Sequence, residues 1–276
     1  MEESLLLRLL YRTAPGRLVL KGLVHPGVSR LAGKILSSPL SRPMIRPYIK
    51  KHHIPMTGYE GVEYRSFNDF FTRRRLPQAM EVDQSSTCLI SPCDGLLSVY
   101  PIDANSRFRV KGSEYTLTDL LEDRDLAGEY QGGTCLIFRL TPRHYHRYCY
   151  IDDGHKGDNR IIPGVLHSVR PICCECYPVY IRNSREYTVL YTEHFGAVVQ
   201  MEVGALLVGR ISNEHGRGRI RRGHEKGHFE FGGSTILLLF KSGSVSLEAA
   251  LFAATARGQD RPVRLGEVIG KVDERP

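Results

Sequence analysis

The sequence predicts an α+β fold, rich in β structure and preceded by amphipathic helices. Two observations predict it. From about residue 86 onward the chain is built of short β-rich runs punctuated by Gly, Pro, Asn and Asp. The first 53 residues instead carry Leu-rich stretches at helical period. The apolar content of 41% and charged content of 25% are those of an ordinary globular chain. Its 276 residues suffice for a substantial core.

In the N-terminal region, Leu5, Leu6, Leu9 and Leu10 make one apolar helical face, flanked by Arg8 and Arg12. A second amphipathic stretch runs from about Val28 to Leu36, and Pro39, Pro43 and Pro47 break the pattern. Residues 1–53 hold ten Lys and Arg against only Glu2 and Glu3, so the net charge of +8 belongs to this arm and the remainder is balanced. A basic, leucine-rich arm fits a membrane surface, where apolar side chains enter the headgroup zone and cations meet anionic lipid. The competing expectation is that the helices pack on the body and their charges are simply solvated. Nucleic acid is disfavoured because the arm is as rich in Leu as in Arg. No apolar run approaches the roughly 18–20 residues needed to span a bilayer, and the Met-Glu-Glu start is not that of a secretory signal. The expected division is an arm over residues 1–58 and a main domain over 59–276.

In the main domain, strands are expected at Leu96–Tyr100, Thr134–Leu140, Ile161–Val165, Tyr187–Tyr191, Ala197–Val203 and Thr235–Phe240. Helices are expected at Thr116–Glu122 and over Val245–Ala256. Seven cysteines, an odd number, argue against a disulfide framework and for a reducing setting. The Cys173, Cys174, Cys176 cluster lacks the spacing of a zinc site, and no metal is expected. No phosphate-binding glycine loop is present.

Four segments carry chemistry: Phe67-Asn68-Asp69-Phe70-Phe71-Thr72-Arg73-Arg74, Ser91-Pro92-Cys93-Asp94-Gly95, the run from Phe138 to Arg147 that ends Tyr145-His146-Arg147, and Glu225 to Thr235, which contains Phe231-Gly232-Gly233-Ser234. Singly, each has a bland explanation, such as a turn or a core histidine. In this order and combination they closely resemble the phosphatidylserine decarboxylase family, over about residues 60–270.

That resemblance implies a proenzyme cut between Gly233 and Ser234 into a β chain, 1–233, and an α chain, 234–276. Ser234 becomes a covalent pyruvoyl group, which forms a Schiff base with phosphatidylserine and releases carbon dioxide and phosphatidylethanolamine. Asp94 matches the aspartate of the family's self-cleavage triad, and His146, with Tyr145 and Arg147, matches its substrate-handling motif. The second histidine of that motif, the usual triad base, falls at Cys149, and a thiol is a poor base at neutral pH. His146 and His167 stand as the leading replacements, with His144 and His228 behind them. The fold implied is a hammerhead-like sandwich in which the Asp94 turn and the segment Val263–Gly270 are paired elements. The expected partners are phosphatidylserine in a membrane, an anionic lipid surface, the associated β and α chains and a possible homodimer. The expected location is the cytoplasmic side of the cell membrane. The alternatives are a pyruvoyl decarboxylase of a soluble amino acid, disfavoured by the arm, and a non-catalytic lipid-binding protein.

Overall fold

The computed structural model describes residues 5–59, 63–110, 113–206, 210–231 and 234–273. Four helices form the N-terminal region: α1 (Leu5–Arg12), α2 (Ala14–Leu23), α3 (Pro26–Leu36) and α4 (Ile45–His52). Thr13 caps α2 by accepting from the Gly16 amide, and Pro15 sits in the first turn, where it sacrifices no helical hydrogen bond. The expected break around Pro39 and Pro43 is a 3₁₀ turn over Pro39–Met44, while Pro47 is tolerated in the first turn of α4. The expected apolar face of α1 looks outward: Leu5 is 72% exposed, with Leu6 and Leu9 also exposed. Leu18 of α2 and Leu31 and Ile35 of α3 extend this surface. Only selected residues, including Tyr11, Leu20 and Val24, join the main core. Leu36, Ile45 and Ile54 instead share a second core with α5 (Phe67–Phe71) and Phe231, so contacts cross the expected boundary near residue 58.

The main domain contains β1 (Cys88–Ile90), β2 (Gly95–Pro101), β3 (Arg107–Val110), β4 (Ser113–Thr116), α6 (Leu117–Leu121), α7 (Arg124–Gly128), β5 (Thr134–Leu140), β6 (Arg147–Cys149), β7 (Gly154–Lys156), β8 (Arg160–Ile162), α8 (Pro171–Cys176) and α9 (Val179–Arg182). It continues with β9 (Arg185–Thr192), β10 (Gly196–Val203), β11 (Ile211–Asn213), β12 (Gly218–Ile220), β13 (Glu225–Phe229), β14 (Ser234–Phe240), β15 (Val245–Ser246), α10 (Ala249–Ala256), β16 (Arg261–Val263) and β17 (Val268–Val272). The α+β, β-rich expectation therefore holds. Two elements differ from it. Pro163 follows β8, which stops at Ile162, and Val245–Ser246 is a strand preceding a helix that starts at Ala249.

The large sheet has nine strands in the order β12-β7-β9-β10-β14-β5-β2-β16, with β8 also on β9. β14 lies near its middle, paired antiparallel to β10 and β5, and all seven of its residues are buried. That explains its continuous apolar run, since both faces are covered. A small sheet, β11-β13-β6, lies beside it, and β1-β17-β15 forms a third.

Side chains alternate across a strand. Glu202 of β10 reaches Lys226 of β13 at 2.7 Å, so its face of the large sheet looks at the small sheet. Ile236 lies opposite Glu202, and Ser234, two residues earlier, shares that face. Arg185 lies opposite Val203, and Val203 opposite Thr235; the Arg185 guanidinium donates to the carbonyls of Leu120 and Ile181. Thr235 therefore belongs to the face covered by α6 and α9.

Glu202 and Lys226 are both fully buried, and burial raises the Glu202 pKa against the opposing pull of the lysine. Removing one partner leaves an uncompensated interior charge. Lys226→Met is expected to lower the unfolding free energy by about 3–5 kcal/mol in a denaturant titration, and Glu202→Gln in the same chain to recover part of it. A loss under about 1 kcal/mol would contradict this.

Candidate active site

Asp94 ends the Ser91–Asp94 turn that leads into β2. Leu265 donates its amide to Oδ1 at 3.0 Å, and Tyr145 donates its amide to Oδ2 at 3.4 Å. Arg75 closes on both oxygens, at 3.2 and 2.6 Å. Such a bidentate guanidinium–carboxylate pair holds both groups in one geometry. The turn is clasped by the expected partner segment: Ser91 donates its amide to Glu267 and accepts from Gly266, while β1 pairs with β17. Arg75 also lies over the Tyr145 ring, 4.6 Å from its centroid, and donates its amide to the Tyr145 hydroxyl. Arg75 lies one residue past the Phe67–Arg74 motif. Nothing in the residue pattern marks Arg75, whose importance arises only from the chain's return past Asp94.

His146 is fully buried. Its carbonyl accepts from the Phe229 amide, and its ring lies 4.0 Å from that of Phe71. Neither ring nitrogen has a hydrogen-bond partner among the described residues. Burial, reinforced by Arg73 and His144, holds its pKa well below the usual imidazole value. The Ser234 hydroxyl is likewise buried and partnerless among the described residues. It sits at the first residue of β14, opposite Leu140 of β5. Phe231, three residues before Ser234 in the chain, packs against Phe71, and Phe71 packs against His146. Asn68 of α5 accepts from the Phe231 amide at 3.1 Å and so fixes the chain three residues before Ser234. Gly233, expected on the other side of the cut bond, lies outside the described residues.

His167 lies elsewhere. Its Nδ1 is 3.3 Å from the Tyr11 hydroxyl of α1, and its ring stacks on Tyr177. It is thus placed among the helices, whereas Ser234 shares the small-sheet face. Burial and the nearby Arg182 lower its pKa to about 4. His144 accepts the Thr141 amide at Nδ1 and is also held at about 4, by burial opposed by the charge of Asp94. No hydrogen bond between Asp94 and a histidine occurs among the described residues. Cys149 is buried, and desolvation pushes its thiol up to about 12, further from any role as a base.

Arg147 donates Nε to the carbonyls of Thr72 and Arg73, and Nη1 pairs with Glu225. Glu214 lies 3.7 Å from the same nitrogen. Ligand atoms of Glu214, Glu225 and His228 lie within 4.8 Å of one another, a spacing a metal could use. The guanidinium groups of Arg147 and Arg74, however, already sit against both carboxylates.

Residues 67–271 match the family described as phosphatidylserine decarboxylase. The chain belongs to the phosphatidylserine decarboxylase family. It is 44% identical to phosphatidylserine decarboxylase proenzyme 2 of Clostridium acetobutylicum, over 97% of this chain and 92% of that one. Identity to the phosphatidylserine decarboxylase proenzyme of Ruminiclostridium cellulolyticum is 42%, over 98% and 92%. With the Desulfitobacterium hafniense proenzyme it is 35%, over 96% and 91%. These matches extend through the arm as well as the decarboxylase-family domain.

The depressed imidazoles give stability a defined pH dependence. Below the ordinary pKa of about 6.5 the unfolded chain takes up protons that folded His144, His146, His167 and His228 refuse. The unfolded state then binds more protons, so stability falls as pH falls. The melting temperature is expected to drop between about pH 7 and about pH 5, and His146→Gln to flatten that slope. A slope unchanged in the variant would show that His146 is not held neutral by the fold.

Proposed function

We infer that this protein is a phosphatidylserine decarboxylase that matures by cutting its own chain before Ser234. The observation that carries this is a buried serine hydroxyl without a partner, at the head of a central strand, in a chain of this family. Ser234 attacks the carbonyl that precedes it, shifting the acyl group from nitrogen to oxygen; β-elimination releases that acyl group as a carboxylate and leaves a dehydroalanine, whose imine form water hydrolyses to the pyruvoyl ketone with loss of ammonia. Once made from Ser234, the pyruvoyl group supplies the electron sink for loss of carbon dioxide.

His146 is the base best suited to the cut. It is neutral at working pH, its ring nitrogens are uncommitted, and it lies on the Ser234 side of the large sheet. Asp94 acts through the Tyr145 amide, orienting the peptide that leads into His146, while Arg75 keeps the carboxylate in place. In the mature enzyme the same imidazole is suited to take a proton from water and pass it to the decarboxylated carbon. Tyr145 and Arg147 hold the loop on which His146 sits. The α chain begins with β14, whose ladders to β10 and β5 keep the two products of cleavage together.

The outward leucines of α1 to α3, with the surrounding cations, support peripheral docking on an anionic bilayer, the cytoplasmic leaflet of the cell membrane. No described helix is long and apolar enough to cross one.

Ser234→Ala and His146→Ala are each expected to remain single chains on a denaturing gel and to release no carbon dioxide from phosphatidylserine vesicles. His167→Ala is expected to be cut normally. Normal cutting in His146→Ala, with failure in His144→Ala or His167→Ala, would move the base to that residue. Turnover by Ser234→Ala would refute the mechanism.

A further inference from the structure

A cavity of about 540 Å³ lies between α2 and the segment carrying His167. That volume falls in the ~300–1,000 Å³ range of small-molecule sites. Three cations line it: Arg17 and Lys21, one turn apart on α2, and Arg182 at the end of α9. All three are exposed, and no carboxylate lines the cavity with them. Among the described residues none of the three has an anionic partner, although the Arg182 guanidinium lies 5.6 Å from the Tyr177 ring centroid. Elsewhere in the domain, cations such as Arg75, Arg139 and Arg160 are matched by acids. The walls between the charges are apolar, formed by Leu18, Val24 and Val165, with His167 buried among them.

We propose that this cavity holds the phosphodiester of a phospholipid, with Arg17, Lys21 and Arg182 on the phosphate oxygens and the glycerol backbone along Leu18 and Val24. Converging cations on an apolar wall match an amphiphile with an anionic head, and guanidinium groups suit phosphate geometry. Exposed Leu18 and Val19 on the same helix carry the cavity's edge into the surface that faces the bilayer, so a lipid can enter without crossing water. The cavity also lies at the right end of the sheet. The His167 carbonyl accepts from the Leu206 amide, just beyond β10, whose Val203 lies opposite Thr235. A lipid anchored there by its phosphate lies on the helix-covered face, and its serine headgroup reaches Ser234 round the end of the sheet, where β10 stops at Val203 and β14 begins. The proposal rests on the decarboxylase reading and assigns the positioning residues for its substrate.

The test is steady-state kinetics in mixed detergent micelles, with phosphatidylserine as the varied component and self-cleavage checked first on a gel. Combined Arg17→Gln, Lys21→Gln and Arg182→Gln is expected to raise the apparent KM about tenfold or more, with kcat within about twofold and cleavage complete. Lys21→Glu alone, at an exposed position, serves should the triple variant fold poorly, and is expected to raise KM likewise. Arg219→Gln, Arg221→Gln and Arg257→Gln, which remove equal charge at residues that do not line the cavity, are expected to leave KM unchanged. Soluble glycerophosphoserine is expected to compete with substrate in the wild type and much less in the triple variant, whereas inorganic phosphate at the same concentration is not. An unchanged KM in the cavity variants, an equal rise in the distant variant, or equal competition by inorganic phosphate would overturn the assignment. A wild type that is uncut and inactive would instead refute the decarboxylase reading itself.

Discussion

The site depends on one guanidinium. Arg147 reaches the backbone carbonyls of Thr72 and Arg73 and pairs with Glu225, so it ties α5, the Tyr145-His146-Arg147 loop and β13 together. These belong to segments about eighty residues apart in the chain, and each alone is short. A planar, permanently charged group with several fixed donors can bridge backbone oxygens and a carboxylate at once, which a lysine cannot. With Arg147 in place, Phe71 is held against His146, and Phe231 is held against Phe71. The buried Arg75–Asp94 pair anchors the other end of the same loop through the Tyr145 amide.

Within that frame, polar groups are left unpartnered where chemistry is required. Burying a hydroxyl or an imidazole without a hydrogen bond is costly, on the order of 1–3 kcal/mol per group. Ser234 and His146 carry that cost together, and the neighbouring Thr235 hydroxyl and His228 Nδ1 are unpartnered with them among the described residues. The surrounding ladder is what tolerates it, because β14 is bonded on both sides along its length. A nucleophile free of competing hydrogen bonds and an imidazole kept neutral by desolvation are what an internal acyl shift needs.

Much of this was legible in the sequence. The run from Thr235 to Phe240 reads as an apolar strand, and it is one, beginning one residue earlier at Ser234. The four motifs signalled their shared chemistry through their order along the chain. What stayed hidden was pairing across long distances. Asp94 was expected in a triad with a histidine, yet its carboxylate is held by Arg75, a residue without any local signature. His146 and His167 stand level in the sequence as replacements for the base; only the register of β10 with β14 and the contacts of each ring separate their sides of the sheet. The amphipathic pattern of α1 did not say whether its leucines face the body or the bilayer, and their exposure favours the bilayer.

In the proposed function, the outward leucines, the α2 cations without an acidic partner among the described residues and the buried serine form a single route from lipid surface to reacting group. Its central claim concerns the bond before Ser234, and intact-mass analysis of freshly purified wild-type protein tests it most directly. The account predicts two chains, the smaller starting at residue 234 with a carbonyl in place of its amino group, reactive toward a hydrazine label. Active, folded enzyme consisting only of the uncut 276-residue chain would contradict it.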